Sequence, residues 1–140
     1  YNIFDQNPED QLFPACQEHD VAVIARVPFD EGTLTGTLTK DTTFPPEDWR
    51  SHYFTKENLI PSVERADALK PLIPEGSTMP EMALRHILSH DAVSTIIPGM
   101  RKIHHVESNI AASDKGKLSN ELLEELKKHR WVRKPAPWSD

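Results

Sequence analysis

The sequence predicts an α/β fold, in which short buried strands alternate with helices. The first observation is a pair of short apolar runs rich in β-branched residues, at 21–25 and 93–97. The second is that each run is followed by a loop and then by apolar residues at helical spacing. Strands joined in this way pair in parallel and are buried on both faces, so both runs are predicted to lie in one covered parallel sheet.

Composition limits the classes of protein to which the chain can belong. Its 140 residues are enough for one domain with a core, and 37% are hydrophobic. The net charge of −6 argues against nucleic acid as a partner, because a phosphate backbone requires a basic surface. No apolar run has transmembrane length, no secretory leader is evident, and Cys16 is the single cysteine. We therefore expect a cytoplasmic protein without a membrane segment or an internal disulfide.

Capping residues and prolines mark the helices. Asn7 before Pro8 predicts the start of the first helix. Ser77 or Thr78 opens another helix, whose apolar side chains are predicted to share one buried face: Met79, Met82, Ala83, His86 and Ile87. The remaining helices are predicted to begin after Thr55, near Ile103 and after Ser119.

The junction after the second apolar run has the features of an anion site. The run closes with Pro98 and Gly99 and passes through Arg101 and Lys102 to a helix start near Ile103. The free N–H groups and the positive dipole end of a helix favour an anion, and two cations lie beside them. The long connection between the first run and Arg50 is typical of binding loops.

The chain reads as repeating βα units that cannot close a sheet on their own, as three strands taken from an eight-stranded barrel could not. Tyr1 reads as the end of an earlier strand, so a segment upstream is expected. Three such strands leave sheet edges unpaired and an inner face uncovered. We assign residues 1–130 to these units and 131–140 to an irregular tail rich in proline and tryptophan.

Several segments together resemble the C-terminal portion of the aldo-keto reductase family. They are Tyr1-Asn2, residues 24–36, residues 82–85, and residues 96–99 with Asn109 ten positions on. The resemblance covers nearly the whole chain in matching order. It implies a (β/α)8 barrel that binds NADPH at the carboxyl ends of its strands and reduces a carbonyl by hydride transfer. In that barrel Tyr1 would close strand six, and the two apolar runs would be strands seven and eight.

The resemblance also implies cofactor-binding roles for Arg26, Pro28, Phe29, Gly32, Arg50, Gly99, Arg101, His105 and Asn109. Residues of the loop after the first run would lie along the nicotinamide and pyrophosphate. Those after the second run would hold the adenosine 2′-phosphate and adenine, with Arg50 as a further contact. Arg26 stands where many members carry an aromatic residue that stacks on the nicotinamide. Asp30 and Glu31 are expected to point outward, because a carboxylate repels a pyrophosphate.

No catalytic residue is assigned, because the family's Tyr, Lys, Asp and His belong to the first half of the barrel and no stretch here matches them. The chain alone is therefore expected to be inactive, and its partners are an N-terminal barrel half, in the same protein or another chain, and a carbonyl substrate. The alternative is a noncatalytic nucleotide-binding or interaction module, built from the same half-barrel and completed by a partner chain.

Histidines and tryptophans leave two further alternatives. His86 and His90 lie four apart on a predicted helix, as zinc ligands can, but the ligand set is incomplete and no metal is predicted. His86 is expected instead to pack on the buried face. Trp131 and Trp138 either line a substrate mouth, as the tail does in the family, or pack against the barrel wall.

Overall fold

Two parallel strands alternate with six helices in this computed structural model, which describes residues 1–132. The predicted tail therefore lies outside the described residues, except for Trp131 and Val132. The elements are α1 (Leu12–Glu18), β1 (Val23–Ala25), α2 (Arg50–Tyr53), α3 (Lys56–Leu69), α4 (Met79–Leu88), β2 (Val93–Ile96), α5 (Ile103–Asp114) and α6 (Asn120–Lys127). Short 3-10 segments lie at Asn7–Glu9, Asp30–Thr35 and Lys70–Leu72.

The sheet confirms the predicted α/β class. β1 and β2 pair in parallel, with Val23 opposite Val93 and Ala25 opposite Ile96. The pairing extends one residue further, because the N–H of Ile97 donates to the Ala25 carbonyl at 3.1 Å. Two strands with α4 on their crossover connection form part of a barrel and leave the sheet unclosed, as the βα pattern predicted.

The first strand is shorter than predicted. The N–H of Val21 donates to the Cys16 carbonyl at 2.8 Å, so this residue finishes the turn after α1 instead of joining the sheet. The prediction that both faces are covered is also wrong for the described residues, since Ile24 is 61% and Ile97 60% exposed. These open positions agree with the uncovered inner face expected of an incomplete barrel.

The first residues lie against the sheet without forming a strand. Tyr1 was predicted to close a strand, but no strand is present at the start of the described chain. The buried Asn2 amide instead donates to the Val27 carbonyl at 3.1 Å, which fixes this segment beside the carboxyl end of β1.

The predicted cap of the first helix is wrong. Asn7 begins a short 3-10 segment, and α1 starts five residues later, at Leu12. The Asn7 side-chain oxygen accepts a hydrogen bond from Arg130 at 2.6 Å, and the same guanidinium pairs with Asp10. A partner 123 residues away along the chain thus uses the oxygen that would have capped the helix.

The core lies where α3, α4 and α6 meet the first residues of the chain. Its least exposed side chains include Ile3, Phe4, Leu34, Leu69, Met82 and Leu126. The predicted face of α4 is confirmed, because its five residues, His86 among them, are all buried.

Thr78 caps α4, because its hydroxyl accepts a hydrogen bond from the Glu81 N–H at 3.3 Å. We expect Thr78→Ala to lower the free energy of unfolding by about 1 kcal/mol, the usual cost of losing such a cap. Thr55 occupies the same position before α3 without a side-chain capping bond, so Thr55→Ala is the matched control and should cost less. Denaturant unfolding measures both variants, and equal losses would contradict the assigned cap.

Candidate functional site

A cavity of about 720 Å³ lies between the loop after β1, the start of α4 and one face of α5. Five of the predicted cofactor residues line it: Phe29, Gly99, Arg101, His105 and Asn109. Residues separated by 70 or more positions in the sequence are thus brought to one surface, with apolar Leu84 and Pro80 opposite α5. The cavity combines an apolar wall with a cationic end.

The start of α5 supplies the polar end of this cavity. Lys102 precedes the helix in extended conformation and makes no side-chain capping bond. The Asn109 amide donates to the Gly99 carbonyl at 3.3 Å, which holds the loop against the helix. Uncapped first-turn N–H groups and the helix dipole favour an anion at this position.

Some of the charged side chains around the cavity have ion-pair partners and one has none. The Arg101 guanidinium is exposed and makes no hydrogen bond or ion pair with residues 1–132. The Lys115 ammonium lies 2.6 Å from one Glu81 oxygen, and Arg85 lies 3.2 Å from the other. Burial opposes ionisation of Glu81, but the hydrogen bonds from Lys115 and Arg85 hold its pKa below the usual range. The carboxylate is thus neutralised by two cations, while Arg101 has no partner among the described residues.

His105 lines the same cavity, and its surroundings favour the uncharged imidazole. Its ring packs against His104, with centroids 4.3 Å apart. Burial lowers the pKa of His105, and the nearby charges of His104, Lys102 and Arg101 lower it further. A neutral imidazole can both donate and accept a hydrogen bond, as the edge of a nucleotide base requires.

Arg26 lies in a second cavity, of about 420 Å³, at the carboxyl end of β1. Tyr1, Asn2, Asp30 and Trp131 also line it. The structure therefore separates Arg26 from Arg101.

The expectation that Asp30 points outward is wrong, because this residue is only 5% exposed. Asp30 and Glu31 have φ angles of 49° and 56°, in the left-handed region. Their N–H groups sit in a tight turn in which the Phe29 carbonyl accepts bonds from Gly32 and Leu34, at 2.9 and 3.0 Å. The turn carries Asp30 into the Arg26 cavity and leaves Phe29 in the larger one.

Pro28 and Gly32 line neither of these cavities and instead shape the loop between them. Pro28 is buried, and Gly32 has a φ of 111°, a conformation that residues with a side chain rarely adopt. Any contact that they make with a ligand would therefore be set through the backbone of this turn.

Arg50 is placed apart from the other predicted residues. Its Nε lies 3.0 and 3.1 Å from the two Asp48 carboxylate oxygens, and its guanidinium lies 4.7 Å from the centre of the Phe44 ring. The hydrogen bonds from Arg50 lower the pKa of Asp48 to about 2. Together with Glu31 and Trp49, Arg50 lines a third, open hollow.

Sequence reasoning missed several residues of the larger cavity. Thr35 and Thr37 line it from the loop after β1, and Glu81 and Lys115 line it from the two helices. The threonines lie within or next to the loop segment already considered, so their position was a usable signal. Lys115 gave none, because its relation to Glu81 depends on how α4 and α5 pack.

The hydroxyl of Tyr1 is not suited to act as a catalytic acid. Its hydroxyl donates to Glu9 at 2.6 Å, and burial together with the Glu9 carboxylate raises its pKa well above the usual range. Within residues 1–132 no three histidine, cysteine or acidic side chains come together as a metal site. No helix in this part of the chain is long and apolar enough to cross a membrane.

The comparisons with known proteins agree on one family. The model of the aldo/keto reductase family matches residues 1–130. The chain is 30% identical over 115 residues to an NADH-specific methylglyoxal reductase from Escherichia coli, across 80% of this chain and 35% of that protein. It is 25% identical over 130 residues to an aldo-keto reductase [NADP(+)] from Schizosaccharomyces pombe, across 91% and 38%.

A solved structure extends this agreement to the fold. The glycerol dehydrogenase from Gluconobacter oxydans superposes with a TM-score of 0.81 at 28% identity, across 96% of this chain and 42% of that one. The chain spans about two fifths of the length of such relatives. With the family model matched over nearly its whole length, the chain belongs to the aldo/keto reductase family.

Proposed function

We propose that this chain is the NADPH-binding C-terminal portion of an oxidoreductase that reduces a carbonyl by hydride transfer. The observation that carries the proposal is the single cavity that gathers Phe29, Gly99, Arg101, His105 and Asn109 beside the uncapped start of α5. An extended dinucleotide needs an anion site, an apolar wall and polar groups for a base, and this cavity supplies all three.

In this proposal Arg101 binds the adenosine 2′-phosphate. A guanidinium donates two parallel hydrogen bonds to a phosphate, and Arg101 has no competing partner in the described chain. Gly99 lets the backbone approach the phosphate, and Asn109 keeps that backbone in place. His105 and the apolar side chains of the cavity would contact the adenine.

The nicotinamide would lie towards the carboxyl end of β1. Phe29 lines the larger cavity and belongs to the loop that follows β1. Pro28 and Gly32 set the path of that loop. Arg26 would then stand at the reacting end of the cofactor. Arg50, whose guanidinium is occupied by Asp48, remains a predicted contact of the cofactor only.

The choice between NADP and NAD depends on Arg101. The names of the two relatives differ, since one is NADH-specific and the other is designated NADP(+). Only NADP carries the 2′-phosphate, and an unpaired guanidinium at the adenosine end favours it. We therefore propose NADP as the cofactor.

The catalytic groups would come from an N-terminal barrel half, in the same protein or a partner chain. The exposed Ile24 and Ile97 on the sheet support such a complement, because a closed barrel buries this face. The single cysteine favours a reducing, cytoplasmic location, which stays a prediction.

A fluorescence titration with NADPH and NADH tests the proposal, with intact mass and oligomeric state determined on the same sample. We expect the protein expressed from its native gene to bind NADPH saturably, more tightly than NADH, and to oxidise it when a carbonyl is added. Binding without turnover would favour the noncatalytic module. Absence of binding in a folded, full-length protein would contradict both.

A further inference from the structure

The Arg26 cavity contains a cation whose backbone is firmly held. Asn2 donates to the carbonyl of Val27, the next residue, and its own oxygen accepts the N–H groups of Phe4 and Asp5 at 2.9 and 3.0 Å. Val27 has a φ of 55°, a strained conformation for a β-branched residue. Strain of this kind persists where the surroundings enforce it, and it is concentrated at functional sites. The position of Arg26 is therefore set by a buried asparagine and a strained neighbour.

The guanidinium of Arg26 is available to a ligand. The side chain is exposed and makes no hydrogen bond or ion pair within residues 1–132. It is the only cationic side chain among the described residues that line this cavity. The cavity lies at the carboxyl end of β1, the end at which barrels of this type place the substrate.

The other charges in the cavity make Arg26 decisive for an anion. Asp5, Asp30 and Glu31 also line it, and the last two already interact with other groups. An anionic substrate entering here therefore has one cationic side chain among the described residues to bind it. With Arg26 removed, no described cationic side chain would line the cavity.

We propose that Arg26 makes this site selective for carbonyl substrates that carry a carboxylate, which the guanidinium binds through two parallel hydrogen bonds. The inference rests on the proposed function, because it assigns the substrate class of that same site. Arg26 is a specificity-determining residue here, separate from the 2′-phosphate contact at Arg101.

The test compares 4-carboxybenzaldehyde with methyl 4-formylbenzoate, which share a ring and an aldehyde and differ in the charge. Full-length wild-type protein and the variants Arg26→Met and Arg26→Lys are assayed with NADPH. We expect Arg26→Met to lower kcat/KM for the acid at least about tenfold more than kcat/KM for the ester. Arg26→Lys should recover part of the lost kcat/KM, because lysine keeps the positive charge but cannot donate two parallel hydrogen bonds to the carboxylate.

Two binding measurements separate failure of this inference from failure of the proposed function. Calorimetry with benzoate should show binding to the wild type and its loss in Arg26→Met, whether or not turnover occurs. NADPH binding to the wild type, followed by fluorescence, is the second measurement. Equal losses of kcat/KM for the acid and the ester in Arg26→Met, or benzoate binding that survives this substitution, would overturn the inference, whereas absence of NADPH binding in the wild type would overturn the proposed function.

Discussion

Arg101→Ala is expected to weaken NADPH binding by about 10- to 100-fold and NADH binding by less than about twofold. The guanidinium lines the cavity at the start of α5, and no group in the described chain competes for it. A hydrogen bond to a charged group contributes about 1.5 to 3 kcal/mol, which corresponds to this range of affinity. Because NADH lacks the 2′-phosphate, the loss should be confined to NADPH. Dissociation constants from fluorescence titration at fixed ionic strength measure both effects.

Lys117→Ala is the matched control for this prediction. It removes the same unit of charge in the segment that follows α5, outside the cavity, where the ammonium pairs with Asp91. A general electrostatic effect would weaken NADPH binding in both variants, and higher salt would then cancel much of it. Equal losses for NADPH and NADH in Arg101→Ala would show that this residue does not contact the 2′-phosphate.

The helices were predictable where periodicity and capping act locally. The buried face of α4 follows from apolar residues at helical spacing, and Thr78 caps the helix within its first turn. Asn7 carries an equally good local signal, yet its side chain is used by Arg130, which only the folded chain brings near. Local patterns therefore specify an element where no distant partner competes for its capping group.

The first and last residues of the strands depend on contacts that a local sequence pattern does not show. Val21 belongs to an apolar run, but its N–H donates to the Cys16 carbonyl. The apolar run is therefore longer than the strand. The exposure of Ile24 is likewise set by what else closes the barrel, and not by the residue itself. Hydrophobic runs predict that a strand exists more reliably than where it ends.

The sequence pointed to five residues that line one cavity, but it did not predict how the nine proposed cofactor residues are grouped. The resemblance named Arg101 and Arg26 as cofactor residues, and the structure places them in different cavities. The turn at Asp30 and Glu31, where two residues other than glycine adopt positive φ, places Asp30 in the Arg26 cavity and leaves Phe29 in the cavity of Arg101. Such a turn has no sequence signature, because it is imposed by the surrounding packing.

His86 should make the protein acid-sensitive. The residue is 4% exposed, its ring stacks on Tyr1 at 5.7 Å, and neither ring nitrogen has a partner in the described chain. Burial, with a smaller contribution from His90, lowers the pKa of His86 to about 4. In the unfolded chain the pKa of this histidine is about 6.5. Between pH 6.5 and pH 4 the unfolded chain therefore binds a proton that the folded protein does not bind. The free energy of unfolding should therefore fall as the pH drops through this range, and His86 should contribute nothing above it.

His86→Phe isolates this contribution, because phenylalanine keeps a ring against Tyr1 and cannot titrate. Between pH 7 and pH 4.5 the wild type should lose about 2 to 3 kcal/mol more stability than His86→Phe, as linkage predicts for this difference in pKa. Denaturant unfolding at the two pH values gives each difference, so a packing change common to both pH values cancels. Equal losses of stability in the wild type and His86→Phe would mean that His86 binds a proton at pH 4.5 as readily in the folded protein as in the unfolded chain. That result is incompatible with a buried ring that lacks partners.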